Sequence, residues 1–215
     1  MVPHQHTGKL ITFCGLDGCG KSTMIKMMSE HLGETANVFI TKQPTEAMRK
    51  SHIFKKIQNA PVYDEYDYRS LALLASGDRV QHSNRIIVPA LKEGKTVLSD
   101  RYFYSCLANL YARGYEDDTW IYEVSSFIPK PDIALFLDVD VETAIKRIRS
   151  RKFEKDRYIN VKLQYKLRAQ YLKIAQENNC VVIPSGDKPE KTFNMIKEVL
   201  ENIIFINQKK DLSYV

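Results

Sequence analysis

Short runs of β-branched and aromatic residues alternate along the chain with longer stretches in which apolar positions recur at helical spacing. The runs Lys9–Cys14, Asn37–Thr41, Thr96–Ser99, Ile133–Val139 and Cys180–Pro184 contain few alternating polar positions and predict five strands. Helical patterns fill the intervals: Lys21–Leu32, Thr45–Lys56, Tyr68–Lys92, Tyr102–Arg113, Asp118–Phe127, Val141–Arg151, Ile159–Asn178 and Pro189–Asn207. Strands without a polar face, separated by helices, predict an α/β three-layer sandwich: a five-stranded parallel sheet with helices on both faces. Gly94 and the pair Pro129 and Pro131 punctuate helix-to-strand boundaries. No repeat or linker divides the pattern, so residues 1–207 are expected to form one domain and 208–215 a frayed polar tail.

The first strand runs into Gly15-Leu16-Asp17-Gly18-Cys19-Gly20-Lys21-Ser22-Thr23, which matches G-x-x-x-x-G-K-[ST] and opens the first helix. Glycines let backbone N–H groups turn inward around phosphates, and the helix N-terminus adds a positive dipole end. Lys21 is expected to reach the β- and γ-phosphates of a nucleotide, and the Ser22 hydroxyl to ligate Mg²⁺. This is a P-loop, and it makes the fold expectation a P-loop sandwich. An N-K-x-D base-reading string after a late strand is missing, which argues against a GTP switch. Asp138 or Asp140 at the end of an apolar strand could imitate the acid of a motor ATPase, but the chain is short for one.

Charge and composition change this picture little. The 215 residues carry 32 Lys and Arg against 26 Asp and Glu, a net charge of +6. These basic residues are dispersed rather than gathered into a tract, so nucleic acid is not the expected partner. No apolar run approaches the ~20 residues of a membrane span, and the opening MVPHQHTGK lacks a signal-peptide core, so a cytoplasmic enzyme is expected. The four cysteines form no C-x-x-C pair and read as reduced thiols.

Three further segments suit anions. Asp100-Arg101 lies just past a strand end, where ligands bind in doubly wound sheets; Asp100 suits Mg²⁺ and Arg101 a bidentate phosphate clamp. The alternative is a salt bridge capping the next helix. Arg79 sits on an otherwise apolar helix, where a lone arginine is commonly a satisfied surface residue. Arg147, Arg149, Arg151 and Arg157 bracket the polar stretch 150–156, which suits a lid over ATP at about 149–158.

Together these segments resemble the thymidylate kinases. The resemblance runs from about Leu10 to Asn202 through the P-loop, Thr41-Lys-Gln-Pro44, Asp78-Arg-Val-Gln81, Val88–Gly94, Asp100–Ser105, Tyr111-Ala-Arg-Gly114, Pro131–Asp138 and the arginine-rich lid. It implies transfer of the γ-phosphoryl of ATP to the 5′-phosphate of dTMP, with Mg²⁺, in a homodimer. It implies that Asp17 lies near the sugar and acceptor phosphate, that Arg79 reads the pyrimidine edge and that Arg101 holds the acceptor phosphate. Asp100 resembles the Mg²⁺-linked acid, and Ser105 falls near the base. Because Gly18 and Cys19 stand where some members carry a P-loop arginine, the resemblance assigns that charge to Arg151 and Arg157.

Departures cluster on the acceptor side. The family's Arg-Glu-Pro-Gly-Gly is Lys42-Gln-Pro44-Thr-Glu46, the aromatic four residues before Arg79 is Ala75, and the Tyr-Gln pair is Asn109-Leu110 with one residue deleted. Tyr63, Tyr66, Tyr68 and Phe103 are candidates to replace the lost stacking face. Another pyrimidine nucleotide, a nucleoside, or a nucleotide-binding module without chemistry therefore remain alternatives to dTMP phosphorylation.

Overall fold

A computed structural model describes residues 1–59 and 67–211. Tyr63 and Tyr66 lie outside the described residues. The strands are β1 (Lys9–Cys14), β2 (Val38–Lys42), β3 (Thr96–Asp100), β4 (Ile133–Asp138) and β5 (Val181–Pro184). They form one parallel sheet in the order β2-β3-β1-β4-β5. The central three are buried along nearly their whole length, whereas the edge strands β2 and β5 are half-exposed. The central runs are buried on both faces even where they carry Thr12, Thr96 and Ser99, which is why they lack the alternation of a half-exposed strand.

The helices are α1 (Lys21–Gly33), α2 (Glu46–Lys50), α3 (His52–Asn59), α4 (Tyr68–His82), α5 (Val88–Lys92), α6 (Phe103–Tyr111), α7 (Trp120–Ser125), α8 (Val141–Arg149), α9 (Val161–Glu177) and α10 (Pro189–Asp211). Two predicted helices are interrupted. The first, over Thr45–Lys56, breaks at Ser51, whose extended backbone separates α2 from α3. In the second, over Tyr68–Lys92, a π-helical turn at Ser83–Ile87 joins α4 to α5, with the Val88 N–H bonded to Ser83 O five residues back. Pro89 explains the wider turn: it has no N–H to give, and its ring clashes with a carbonyl four residues earlier.

Leu10, Ile11, Phe13, Met28, Leu98, Leu107 and Phe136 sit at the centre of the main core. A second, smaller cluster lies apart from it: Met48, Ile57, Leu71 and Ala75 from α2, α3 and α4, with Ile53, Phe54 and Tyr68 packed against them. That satellite forms the outer wall of the site described next. No helix among the described residues is long and apolar enough to cross a membrane.

Candidate active site

Parallel strands end together, so the register of the sheet brings Cys14, Lys42, Asp100 and Asp138 to one edge. Gly15 (φ 133°) and Gly18 (φ 84°) then turn the chain back over that edge. A Cβ would run into the Leu137 carbonyl at Gly15 and the Ala144 carbonyl at Gly18, so both glycines are required by backbone shape and by space. Lys21, in the first turn of α1, lies 6% exposed and folds over the loop. Its Nζ donates to Gly15 O at 3.1 Å and Leu16 O at 2.7 Å. A phosphate offers the same ammonium a charged acceptor in place of two neutral ones. Ser22 and Thr23 are exposed beside it and line the same cavity.

Asp17 is held by two arginines. Oδ1 accepts from Arg101 at 2.5 Å and Oδ2 from Arg157 at 2.6 Å. Burial acts to raise the Asp17 pKa, but Arg101, Lys21 and Arg157 together hold it well below the usual carboxylate range. Arg101 has a left-handed backbone (φ 71°), a conformation that costs a non-glycine residue about 1–3 kcal/mol. Its N–H donates to Phe13 O at 2.9 Å, and its carbonyl accepts from Ser99 Oγ at 2.7 Å. Nη1 donates to Gly15 O at 3.2 Å and to Tyr171 Oη at 3.0 Å. The chain therefore strains its own backbone to aim this guanidinium across the mouth of the P-loop.

The lid arginines divide the work. Glu154 accepts from both, at 2.7 Å from Arg151 and 2.9 Å from Arg157. Only Arg157 also reaches the P-loop, whereas the Arg151 side chain is 52% exposed. Arg147 ties down the loop after β5 through Ser185 O at 2.8 Å and Gly186 O at 3.1 Å. Arg149 donates to the Lys155 carbonyl within the lid. The two acids that resemble an ATPase carboxylate are engaged elsewhere. Asp138 takes both nitrogens of Arg168 at 2.7 and 2.8 Å, and Asp140 caps α8 through the Thr143 N–H at 2.7 Å.

Asp100 and Arg101 do not pair with each other. Asp100 Oδ2 meets Lys42 Nζ at 3.1 Å, and its Oδ1 is buried with no hydrogen-bond partner among the described residues. A hard oxygen donor without a partner, lining the same cavity as the exposed Ser22 hydroxyl, fits Mg²⁺. Gln43 is fully buried: its amide nitrogen lies 3.0 Å from His82 Nδ1 and 3.2 Å from Ser83 Oγ. A neutral amide suits this fully buried position, into which the expected glutamate would bring a charge. Thr41 Oγ1 completes the arrangement at 2.8 Å from His82 Nε2.

A cavity of about 380 Å³ joins these groups. Its lining carries eight Lys and Arg side chains against three carboxylates, Asp17, Asp100 and Glu154. Most of the +6 excess thus gathers in space although it is dispersed in sequence. One end holds Gly15–Thr23, apart from Cys19, which is wholly buried within the loop against the core. The other holds Pro44, Ala75, Arg79, Ser105 and Asn109. Arg79 is only 4% exposed, and its Nε is buried without a partner. It is therefore a cavity residue and not the surface arginine its helix pattern suggests. Asn109 is fixed by its Nδ2 to Ser105 O at 2.8 Å and receives Arg113 at 3.0 Å.

Beside Ala75, Phe54 and Ile57 of α3 line the cavity, and Tyr68 does so with the Arg113 guanidinium 3.9 Å from its ring centre. Phe103 packs in the core against Tyr104 and Tyr122 and lines no part of it. Among the lining residues without a sequence signal are Phe54 and Arg49. Arg49 donates Nε to Pro44 O at 2.8 Å, and its pKa is lowered by burial and then by Arg101. Two like charges aimed into one space are relieved by an anion.

Comparison with known proteins agrees with this geometry. The thymidylate kinase family model matches residues 13–196. A Pyrococcus horikoshii protein named "Probable thymidylate kinase" is 41% identical over 176 residues, covering 79% of this chain and 83% of its own. One of the same name from Thermococcus kodakarensis is 35% identical, covering 88% and 96%. "Probable thymidylate kinase 1" from Saccharolobus solfataricus is 35% identical, covering 91% and 98%. With the family model matching most of the chain and its P-loop, Arg101 and lid converging on one cavity, the chain belongs to the thymidylate kinase family.

Proposed function

We propose that this chain transfers the γ-phosphoryl group of ATP to the 5′-phosphate of dTMP. The observation that carries this reading is that one cavity is lined at once by the P-loop, by Arg101 and by the buried Arg79. Phosphoryl transfer asks mainly for positioning and for charge placed where the transferred group passes. Gly15–Thr23 and Lys21 hold the donor phosphates. Arg101 receives the acceptor phosphate, with Arg49 as a second cation lining the same cavity. Arg157, already drawn against Asp17, brings lid charge to the transferred group, and Arg151 adds charge from the exposed side. Ser22 and Asp100 would hold Mg²⁺, which would supply charge neutralisation on the donor phosphates.

The pyrimidine lies against the apolar wall formed by Phe54, Ile57, Leu71 and Ala75, with Arg79 on its edge. Phe54 takes over the stacking face that Ala75 cannot provide. Leu73 and Leu74 project from the opposite side of α4, each 52% exposed, and supply an apolar face for a homodimer. A cytoplasmic location accords with the free cysteines.

The test is a coupled ADP-release assay across dTMP, dUMP, dCMP, UMP, CMP and thymidine. Highest kcat/KM with dTMP is expected. Turnover of thymidine but not dTMP makes the chain a nucleoside kinase, and no turnover with any of them overturns the reading.

A further inference from the structure

Tyr171 is a buried polar residue beside the acceptor arginine to which neither sequence motif nor resemblance gives a role. It lies on α9, the helix that follows the lid, 4% exposed, with its ring edge against Phe136 at 5.8 Å between centres. Its hydroxyl oxygen accepts from Arg101 Nη1 at 3.0 Å, and the same nitrogen donates to Gly15 O at 3.2 Å. Arg101 is thereby fixed from three sides, by the P-loop carbonyl, by Asp17 and by this phenol.

A phenol that accepts a hydrogen bond still owns one proton. Burial, the largest effect, pushes the Tyr171 pKa up to about 12, and Arg101 and Ser105 oppose it only in part, so the proton stays on at neutral pH. Tyr171 lines the cavity, and the neighbour of its hydroxyl besides Arg101 is the buried Ser105 hydroxyl, a neutral acceptor. Arg101 faces the same space. A group that takes a guanidinium proton on one side and can turn its own proton from a neutral hydroxyl to a charged oxygen in the same cavity is placed to share that anion.

We propose that Tyr171 is a second acceptor-phosphate residue. Its oxygen sets the plane of the Arg101 guanidinium, and its proton goes to the phosphate that Arg101 receives. This rests on the proposed dTMP reading and adds a residue from the helix behind the lid to the site. A hydrogen bond to a charged group contributes about 1.5–3 kcal/mol, which corresponds to a roughly 10- to 150-fold change in affinity.

The test is Tyr171→Phe, which keeps the ring and its packing. Dissociation constants are measured for dTMP and for thymidine, the same ligand without its phosphate, alongside KM for ATP and the thermal midpoint. The expected result is at least a 10-fold weaker hold on dTMP. Thymidine affinity, KM for ATP and thermal midpoint stay near those of the parent. Equal weakening of dTMP and thymidine would mean a structural role only, and an unchanged dTMP affinity would mean none; either overturns the proposal. A parent protein that binds dTMP no better than thymidine fails the acceptor reading itself, and that failure is visible before any variant is made.

Discussion

The two ends of the cavity are built by different means. The end proposed for the donor is a backbone device: Gly15–Thr23, with three glycines at positive φ, and the first turn of α1 all come from one continuous segment. The acceptor end is assembled from side chains on β2, α2, α3, α4, α6 and α9, together with the turn after β3. A backbone device dictates residue type at fixed spacing. A side-chain device constrains only what meets in space, and it can be remodelled one residue at a time. The departures at Lys42-Gln43, Ala75 and Asn109 all fall on that second end.

The sharpest way to break the contrast is at Lys21. Its ammonium is the one cation in the backbone cradle, so Lys21→Ala is expected to lower kcat by about 10³-fold or more while the thermal midpoint barely moves. A loss below 10-fold would mean that phosphate charge is neutralised elsewhere. Next in size are the lid arginines. Arg157→Ala should cost about 10²-fold in kcat with little change in KM for ATP, and Arg151→Ala should show the same kcat-over-KM pattern with a smaller loss. Arg157 alone already touches Asp17, and a larger loss at Arg151 would reverse that assignment.

At the acceptor end the effects are smaller and selective. Phe54→Ala removes the proposed stacking face and is expected to raise KM for dTMP about 5- to 100-fold, with KM for ATP unchanged. Adding Ala75→Phe to that variant should restore part of the loss if the two positions share one space. The smallest effect concerns Gln43. Replacing it by Glu leaves His82 Nδ1 and Ser83 Oγ without the amide donor and brings a charge into a fully buried position. A cost of about 1–3 kcal/mol is expected, read as a fall of roughly 2–12 °C in the thermal midpoint.

The same contrast decides what could be read from the sequence. The sheet was legible because burial on both faces leaves continuous apolar runs, and the donor loop because its glycines are set by φ and by contact with Leu137 and Ala144. Asp100 and Arg101 were legible as strand-end chemistry, but not that each bonds elsewhere. Arg79 looked like a surface residue because helical periodicity records the main core, and the wall it faces is the satellite cluster of α2, α3 and α4. Phe54 and Arg49 left no signal, since the break at Ser51 turns α3 relative to α2 and a continuous helix pattern hides that turn. The lid arginines were equally basic in sequence, and only the fold of the lid brings Arg157 onto Asp17.

The central claim is that one cavity holds donor and acceptor phosphates on separate residues, with Arg101 serving the acceptor. Steady-state kinetics of Arg101→Lys test it most directly, because lysine keeps the charge and loses the fork. The account predicts a rise of about 100-fold in KM for dTMP, with KM for ATP within about two-fold of the parent. An equal rise in both constants, or a change confined to ATP, would contradict it.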